Sequence, residues 1–438
     1  MNSLATELNQ IIEQHNPRIL GMLSHIGRQL FFPKGILSQS AEAKDKAHRI
    51  NATIGIAKEE GHTMCFDTIM APIEGIRASQ SLTYAPSFGL PALRRQWQKE
   101  LLTKNPSLVG KAISLPVVTC GVTHAVSIFA DVWLDPGDVV ILPGMMWGNY
   151  SMIFQVRKGV RLSHYELFDK EGGFNLTAFE AAMRNEARTN QKITVLLNFP
   201  QNPTGYAISK VEAQAMANLL VEMAESGTQV IAALDDAYFG LFYEDQSLQE
   251  SLFSLLAGRH PNLLAVKLDG GTKENFIWGL RIGFITYGAA GQGDADQFYT
   301  ALEKKTAGCV RGNISNASHL SQTLLLNSLR HPRNRDEKAE KYNILRRRAM
   351  RVKAVSADAK FTRAWDVYPF NAGYFMCLRL KSVEAEPLRL HLLEQYGVGL
   401  ISLGRYDLRV AFSCIDEARI EELFDTILKG IDDLLEMA

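Results

Sequence analysis

The sequence predicts an α/β protein: a large domain with a mostly parallel sheet flanked by helices, joined to a smaller α+β domain. Three observations predict it. After Ala71, short apolar runs of strand length alternate with segments of helical period. The strand-like runs are apolar nearly throughout, the pattern of strands covered on both faces. From His319 the order changes: a long helical stretch is followed by short strands and a closing helix.

Taken in order, residues 4–30 have helical spacing with a break at Pro17. The expected strands of the large sheet are "LPVVT" (115–119), "DVVIL" (138–142), "ITVLL" (193–197), "VIAAL" (230–234), "LLAVKL" (263–268) and "IGFITY" (282–287). Helical patterns lie between them, as in "SKVEAQAMANLLVEMAES" (209–226). The helical stretch from His319 to about Arg351 is interrupted near Pro332, and its many Arg and Lys side chains read as a solvated face. "GYFMCLRL" (373–380), "GVGLIS" (397–402), "LRVAFS" (408–413) and a helix over 416–436 complete the smaller unit. The expected division is residues 1–70, an N-terminal helix and segment packing with the small domain; 71–325, the large domain; and 326–438, the small domain.

Composition narrows the class of function. The 438 residues suffice for two or three domains and a large core, and 46% are apolar. Lys plus Arg and Asp plus Glu both number 47, which argues against bulk attraction to nucleic acid or an anionic membrane. The five cysteines, Cys65, Cys120, Cys309, Cys377 and Cys414, are scattered without a CxxC pair, as expected of reduced thiols in the cytoplasm. No Cys/His spacing suits a metal, and no run is apolar and long enough to span a membrane.

In an open α/β sheet, ligands sit beyond the carboxyl ends of the strands, so the residues after each run matter most. "NPTG" (202–205) follows the 193–197 run; alone it is a turn sequence that also offers the Asn202 amide. "DDAYFG" follows 230–234 and brings Asp235 and Tyr238 off a strand end, where Asp is equally suited to cap a helix. "DGGTK" follows 263–268; its paired glycines permit unusual backbone angles, and Lys273 is either a solvated amine or a nucleophile. "CGVTHAV" follows 115–119; Gly121 opens a helix whose first amides can meet an anion. Together they supply an amide, an acid with a phenol, an amine and an arginine, Arg281, in succession. Those groups suit an aromatic, phosphorylated, cationic cofactor that is bound covalently.

With these residues the chain resembles the pyridoxal-phosphate-dependent aminotransferases of class I, of the aspartate and aromatic aminotransferase type, fold type I. The resemblance covers about residues 33–435 and rests on "NPTG", on "DDAY", on Lys273 followed eight residues later by Arg281 in "RIGF", on "YAPSFGLPALRR" (84–95) and on "WGN" (147–149). It implies that Lys273 forms the Schiff base with the cofactor and moves the substrate proton. It implies that Asp235, rather than its neighbour Asp236, pairs with the ring nitrogen. Tyr238 and Asn202 would bond the ring oxygen, and Trp147 would stack on the ring. Arg281 would hold the phosphate with Gly121, Val122 and Thr123. The Asn202–Pro203 bond is often cis in such proteins. The family often has a serine where this chain has Gly270; either Thr272 compensates or the phosphate cup is looser.

The resemblance further implies that Arg409 binds the substrate carboxylate, with Arg405 as a rival, under a cover formed by "KGIL" (34–37), including Ile36, and by Gly55. Tyr84 matches a tyrosine that reaches the partner's phosphate, and Arg311 an arginine that reaches the partner's site and binds a distal carboxylate. Both imply a homodimer with shared sites and a substrate that is acidic or aromatic. Tyr150 stands where aspartate-specific relatives carry a histidine. The expected activity is transfer of an amino group from an amino acid to a 2-oxo acid by a ping-pong, aldimine-to-ketimine route. A β-lyase or decarboxylase on the same frame and a non-catalytic cofactor-binding regulator are the alternatives. The first 32 residues are too short for a DNA-reading module, which weighs against the regulator.

Overall fold

A computed structural model describes residues 2–33 and 35–437 of the chain. Each of the six apolar runs forms a strand. In chain order the large sheet contains β1 (Val117–Thr119), β2 (Val139–Pro143), β3 (Arg161–Tyr165), β4 (Lys192–Asn198), β5 (Gln229–Asp235), β6 (Leu263–Asp269) and β7 (Gly283–Ala289). They lie in the order β1-β7-β6-β5-β4-β2-β3. β7 runs antiparallel to both of its neighbours, so the sheet is mixed, with six strands in one direction.

The strands are apolar nearly throughout because both faces are covered. Val140 and Leu142 pack into one core with the helix Gly121–Trp133. Val139 and Ile141 face the other, with the helices Leu176–Ala187 and Lys210–Glu225. Side chains alternate across a strand, so a run buried on both faces needs apolar residues at every position. The sequence missed β3 because it is an edge strand. "RLSHY" buries only Leu162 and Tyr165 and reads as polar. The helix Lys210–Glu225 begins where a capping box fixes it: Glu212 N donates to Ser209 Oγ (3.2 Å) while Ser209 N donates to Glu212 Oε2 (2.6 Å).

A second sheet, all antiparallel, contains β8 (Trp365–Val367), β9 (Phe375–Leu380), β10 (Ile401–Leu403) and β11 (Asp407–Ala411), in the order β8-β9-β11-β10. The helix Ile420–Glu436 buries Ile420, Leu423, Phe424, Ile427 and Ile431 at helical spacing. The "GVGLIS" run serves two partners: Val398–Gly399 pairs in parallel with Ile50–Asn51, and β10 pairs with β11. Residues 4–30 break twice rather than once. Helices Ser3–His15, Pro17–Met22 and His25–Gln29 are separated by the caps Asn16 and Ser24. Among the described residues no helix is long and apolar enough to cross a membrane.

Ladder register sets the site. Asn198 pairs with Asp235, and Asp235 with Leu268, so β4, β5 and β6 end level with one another. The polar residues that follow these ends must therefore share one rim of the sheet.

Candidate active site

At that rim is a cavity of about 190 Å³. Lys273, Asp235, Tyr238, Asn202, Trp147, Val122, Thr123, Thr272, Arg281, Arg409, Gly55 and Ile36 all line it. Gly121 lies directly behind Arg281: a Cβ on it would come within 2.5 Å of Arg281 Nη2, and its φ of +78° belongs to the left-handed region. Of the residues named from the sequence, Lys34 falls outside the described residues. Tyr84 (89% exposed) and Arg311 lie on the surface, away from this chain's own cavity. Arg311 Nη1 there donates to Ser315 Oγ at 3.0 Å.

Lys273 sits on the short helix Gly271–Glu274. Burial lowers its pKa to about 8; Asp235 opposes that fall and Arg281 adds to it. Its amine lies 5.0 Å from the centre of the Tyr238 ring. Asp235 closes β5 and is buried; burial raises its pKa, while hydrogen bonds from the Tyr150 hydroxyl and the Ala237 amide pull it back. Those bonds measure 2.6 Å to Oδ2 and 3.0 Å to Oδ1. Burial and the Asp235 charge hold the Tyr150 phenol protonated, so it donates. Asp236 faces elsewhere. It pairs with Lys267 Nζ and accepts from Ser251 Oγ (2.5 Å), which removes it as a rival to Asp235.

Among the described residues, two cations in the cavity wall lack an anion. Arg281 has no hydrogen bond or ion pair among the described residues, and it adopts a left-handed backbone (φ 52°) rare outside glycine. Arg409 is 2% exposed, and burial lowers its pKa. Its Nη2 donates to Thr53 O (2.8 Å) and its Nη1 to Asn202 Oδ1 (3.4 Å), while its Nε has no partner. A buried guanidinium without a carboxylate is costly unless a ligand completes it. Arg405 does not line the cavity; it is exposed and paired with Glu384 at 2.7 Å.

Gly270 leaves no room for the serine common in the family. A Cβ there would come within 2.5 Å of the Ile282 carbonyl oxygen. Thr272 is buried in the cavity wall, with Oγ1 3.5 Å from the same carbonyl. The Asn202–Pro203 bond is cis.

Sequence reasoning missed Phe375, Asn198 and Ala237. The Phe375 ring lies 4.1 Å from the Arg409 guanidinium, its centre facing the charge. It reads as a core aromatic in sequence; only the register, with Cys377 opposite Arg409 and Phe375 opposite Ala411, sets it diagonal to Arg409. Asn198 does carry a signal, as a polar residue closing an apolar strand. Its Oδ1 accepts from Asn202 N (2.9 Å) and its Nδ2 donates to Asp235 O (2.8 Å).

The chain is similar to known aminotransferases in sequence and in fold. The chain is 26% identical over 412 residues to a probable aspartate/prephenate aminotransferase of Aquifex aeolicus, spanning 92% of this chain and 97% of that one. It is 25% identical over 362 residues to a probable N-acetyl-LL-diaminopimelate aminotransferase of Bacillus subtilis, spanning 80% of each. In fold it is similar to an aminotransferase of Anaerococcus prevotii (TM-score 0.82, 22% identity, 93% of this chain and 99% of that one). It also resembles a Thermus thermophilus aspartate aminotransferase (TM-score 0.72, 18% identity, 93% and 99%). The sequence profile described as aminotransferase class I and II matches residues 50–427. With most of its length inside that profile, the chain belongs to the class I and II aminotransferase family and is a transferase.

Proposed function

We propose that this protein moves an amino group from an amino acid to a 2-oxo acid in two half-reactions, with pyridoxal 5′-phosphate in the cavity at the sheet rim. The observation that carries this reading is one cavity wall holding an amine of lowered pKa, a buried acid and two guanidinium groups that lack an anion. Its residues fit the cofactor. Arg281, Thr272 and the first amides of the helix Gly121–Trp133 would hold the phosphate. The space Gly121 leaves for Arg281 supports that placement. Asp235 would pair with the ring nitrogen, Asn202 and Tyr238 would bond the ring oxygen, and Trp147 would cover a ring face.

Bound there, the cofactor supplies an aldehyde for covalent capture and a cationic ring that draws electrons from the substrate Cα. The chain supplies the remainder. Arg409 fixes the substrate carboxylate through its planar fork, with Phe375 beneath it. Lys273 Nζ takes the Cα proton and returns it on the other side of the reaction. A pKa near 8 leaves a usable fraction of neutral amine at physiological pH. Hydrogen bonds from Tyr150 and the Ala237 amide favour the charged form of Asp235 against the upward push of burial.

The substrate is acidic or aromatic in this reading, supported by Arg311 and by the aspartate and prephenate named for the Aquifex relative. The working unit is a homodimer in which Tyr84 and Arg311 complete the partner's site; their exposure on one chain supports this. Residues 1–70, 71–325 and 326–438 act as N-terminal segment, large domain and small domain. Pairing of Ile50–Asn51 with Val398–Gly399 supports that grouping. The cytoplasm is the proposed location, supported by five free cysteines.

The test is a donor screen against 2-oxoglutarate with Asp, Glu, Tyr, Phe, Leu and Ala. Glutamate formation from Asp or an aromatic donor is expected. Release of ammonia or carbon dioxide without an acceptor, and no glutamate, would replace this reading with a lyase or decarboxylase.

A further inference from the structure

Lys273 rides on an element that cannot hold itself. The helix Gly271–Glu274 has four residues, too few to be stable alone. Two residues beyond it, Phe276 takes a left-handed backbone (φ 54°), a conformation that surrounding contacts must enforce. Those contacts converge on the residue after the lysine. Glu274 is 5% exposed, and its Oε1 accepts from Lys104 Nζ (2.5 Å) and from Lys338 Nζ. Lys104 ends the helix Pro91–Lys104, and Lys338 belongs to the helix Asn334–Ser356. The Tyr374 hydroxyl adds a bond to Lys273 O at 3.0 Å.

A second ionic group continues the first. Lys267 Nζ pairs with Asp236 and lies 3.5 Å from Asp269, whose carboxylate accepts from Trp97 Nε1 at 3.2 Å. Lys104 Nζ sits 5.4 Å from the centre of the Trp97 ring. Three ammonium groups thus meet three carboxylates, and none of the six lines the cavity. Asp236 follows Asp235 in sequence, and Glu274 follows Lys273. Buried ion pairs do little for stability that apolar side chains of the same size would not do. Their value here is geometric.

We infer that Glu274, clasped by Lys104 and Lys338, is a positioning residue that fixes the Lys273 amine within the cavity. The helix that supplies Lys338 also reaches the strand carrying the substrate-binding arginine: Arg348 Nη1 donates to Ser413 O (2.6 Å), two residues past the end of β11. The clasp therefore joins the amine's turn to the Arg409 side of the site. The inference rests on the role proposed above for Lys273.

Glu274→Gln and Lys338→Met in the holoenzyme test it, together with the titration of Lys273 in cofactor-free protein. That titration is followed by reaction with a small amine-reactive ester and peptide mapping. In Glu274→Gln we expect kcat to fall about 10- to 100-fold, with KM for the amino donor within about threefold. Lys338→Met should lower kcat less. The amine that faces Asp235, Arg281 and Tyr238 should titrate about half a pH unit lower in Glu274→Gln, where Lys104 and Lys338 lose their counter-charge, and higher in Lys338→Met. A fall in kcat at nearly constant KM in a folded variant is not expected of a merely structural residue. A folded Glu274→Gln protein with kcat within about twofold and an unmoved titration overturns the inference. If that variant does not fold, the same result in Lys338→Met overturns it. A borohydride-trapped cofactor on a different lysine of the unaltered enzyme removes both the functional reading and the inference. The cofactor on Lys273 with unresponsive variants removes only the inference.

Discussion

At the residue scale, Arg409 and Tyr150 make separable predictions. Arg409 is buried without a carboxylate, so replacing it should harm binding more than folding. A bidentate charge-assisted pair is worth about 3 kcal/mol, so Arg409→Ala should lower kcat/KM for amino acids by about 100-fold while the cofactor still binds. Steady-state kinetics and absorbance titration check both parts. The Tyr150 hydroxyl pulls the Asp235 pKa down against the upward push of burial. In Tyr150→Phe that restraint is lost, so Asp235 takes up its proton at higher pH. The acid limb of the rate profile should therefore move upward, and activity at neutral pH should fall about tenfold, the worth of one charged hydrogen bond. Much of this was legible in the sequence, because Asp235, Lys273 and Asn202 each follow the end of an apolar strand. Phe375 was not, because a phenylalanine under a guanidinium looks like any core aromatic until the register of β9 and β11 is known.

At the element scale, the rim is shaped by backbone as much as by side chains. Gly270 abuts the Ile282 carbonyl, so restoring the family's serine should not improve the site. Gly270→Ser should instead destabilise the fold by about 1–3 kcal/mol through overpacking, read as a lower denaturant midpoint at unchanged slope. The six apolar strands were readable because both faces of the sheet are covered and nearly every position is apolar, Lys267 and Thr194 being buried exceptions. Edge strand β3, with only Leu162 and Tyr165 buried, was not. Nor was the reversal of β7, since an apolar run carries no sign of its direction. The split of residues 397–402 between two partners was equally hidden, because it depends on where residues 50–51 arrive.

At the scale of the whole molecule, the proposed dimer makes its own prediction. If Arg311 completes the partner's site, mixing Lys273→Ala with Arg311→Ala subunits, each nearly inactive with an acidic donor, should restore activity. Half of the randomly mixed dimers are hybrid and each has one intact site, so roughly a quarter of the wild-type rate is expected. No recovery after verified subunit exchange would place Arg311 outside the partner's site. The central claim concerns one amine at the end of β6. Borohydride reduction of the cofactor-loaded protein, followed by peptide mapping, tests it most directly. The account predicts the added mass on the peptide that carries Lys273; the same mass on any other lysine, or on none, would contradict it.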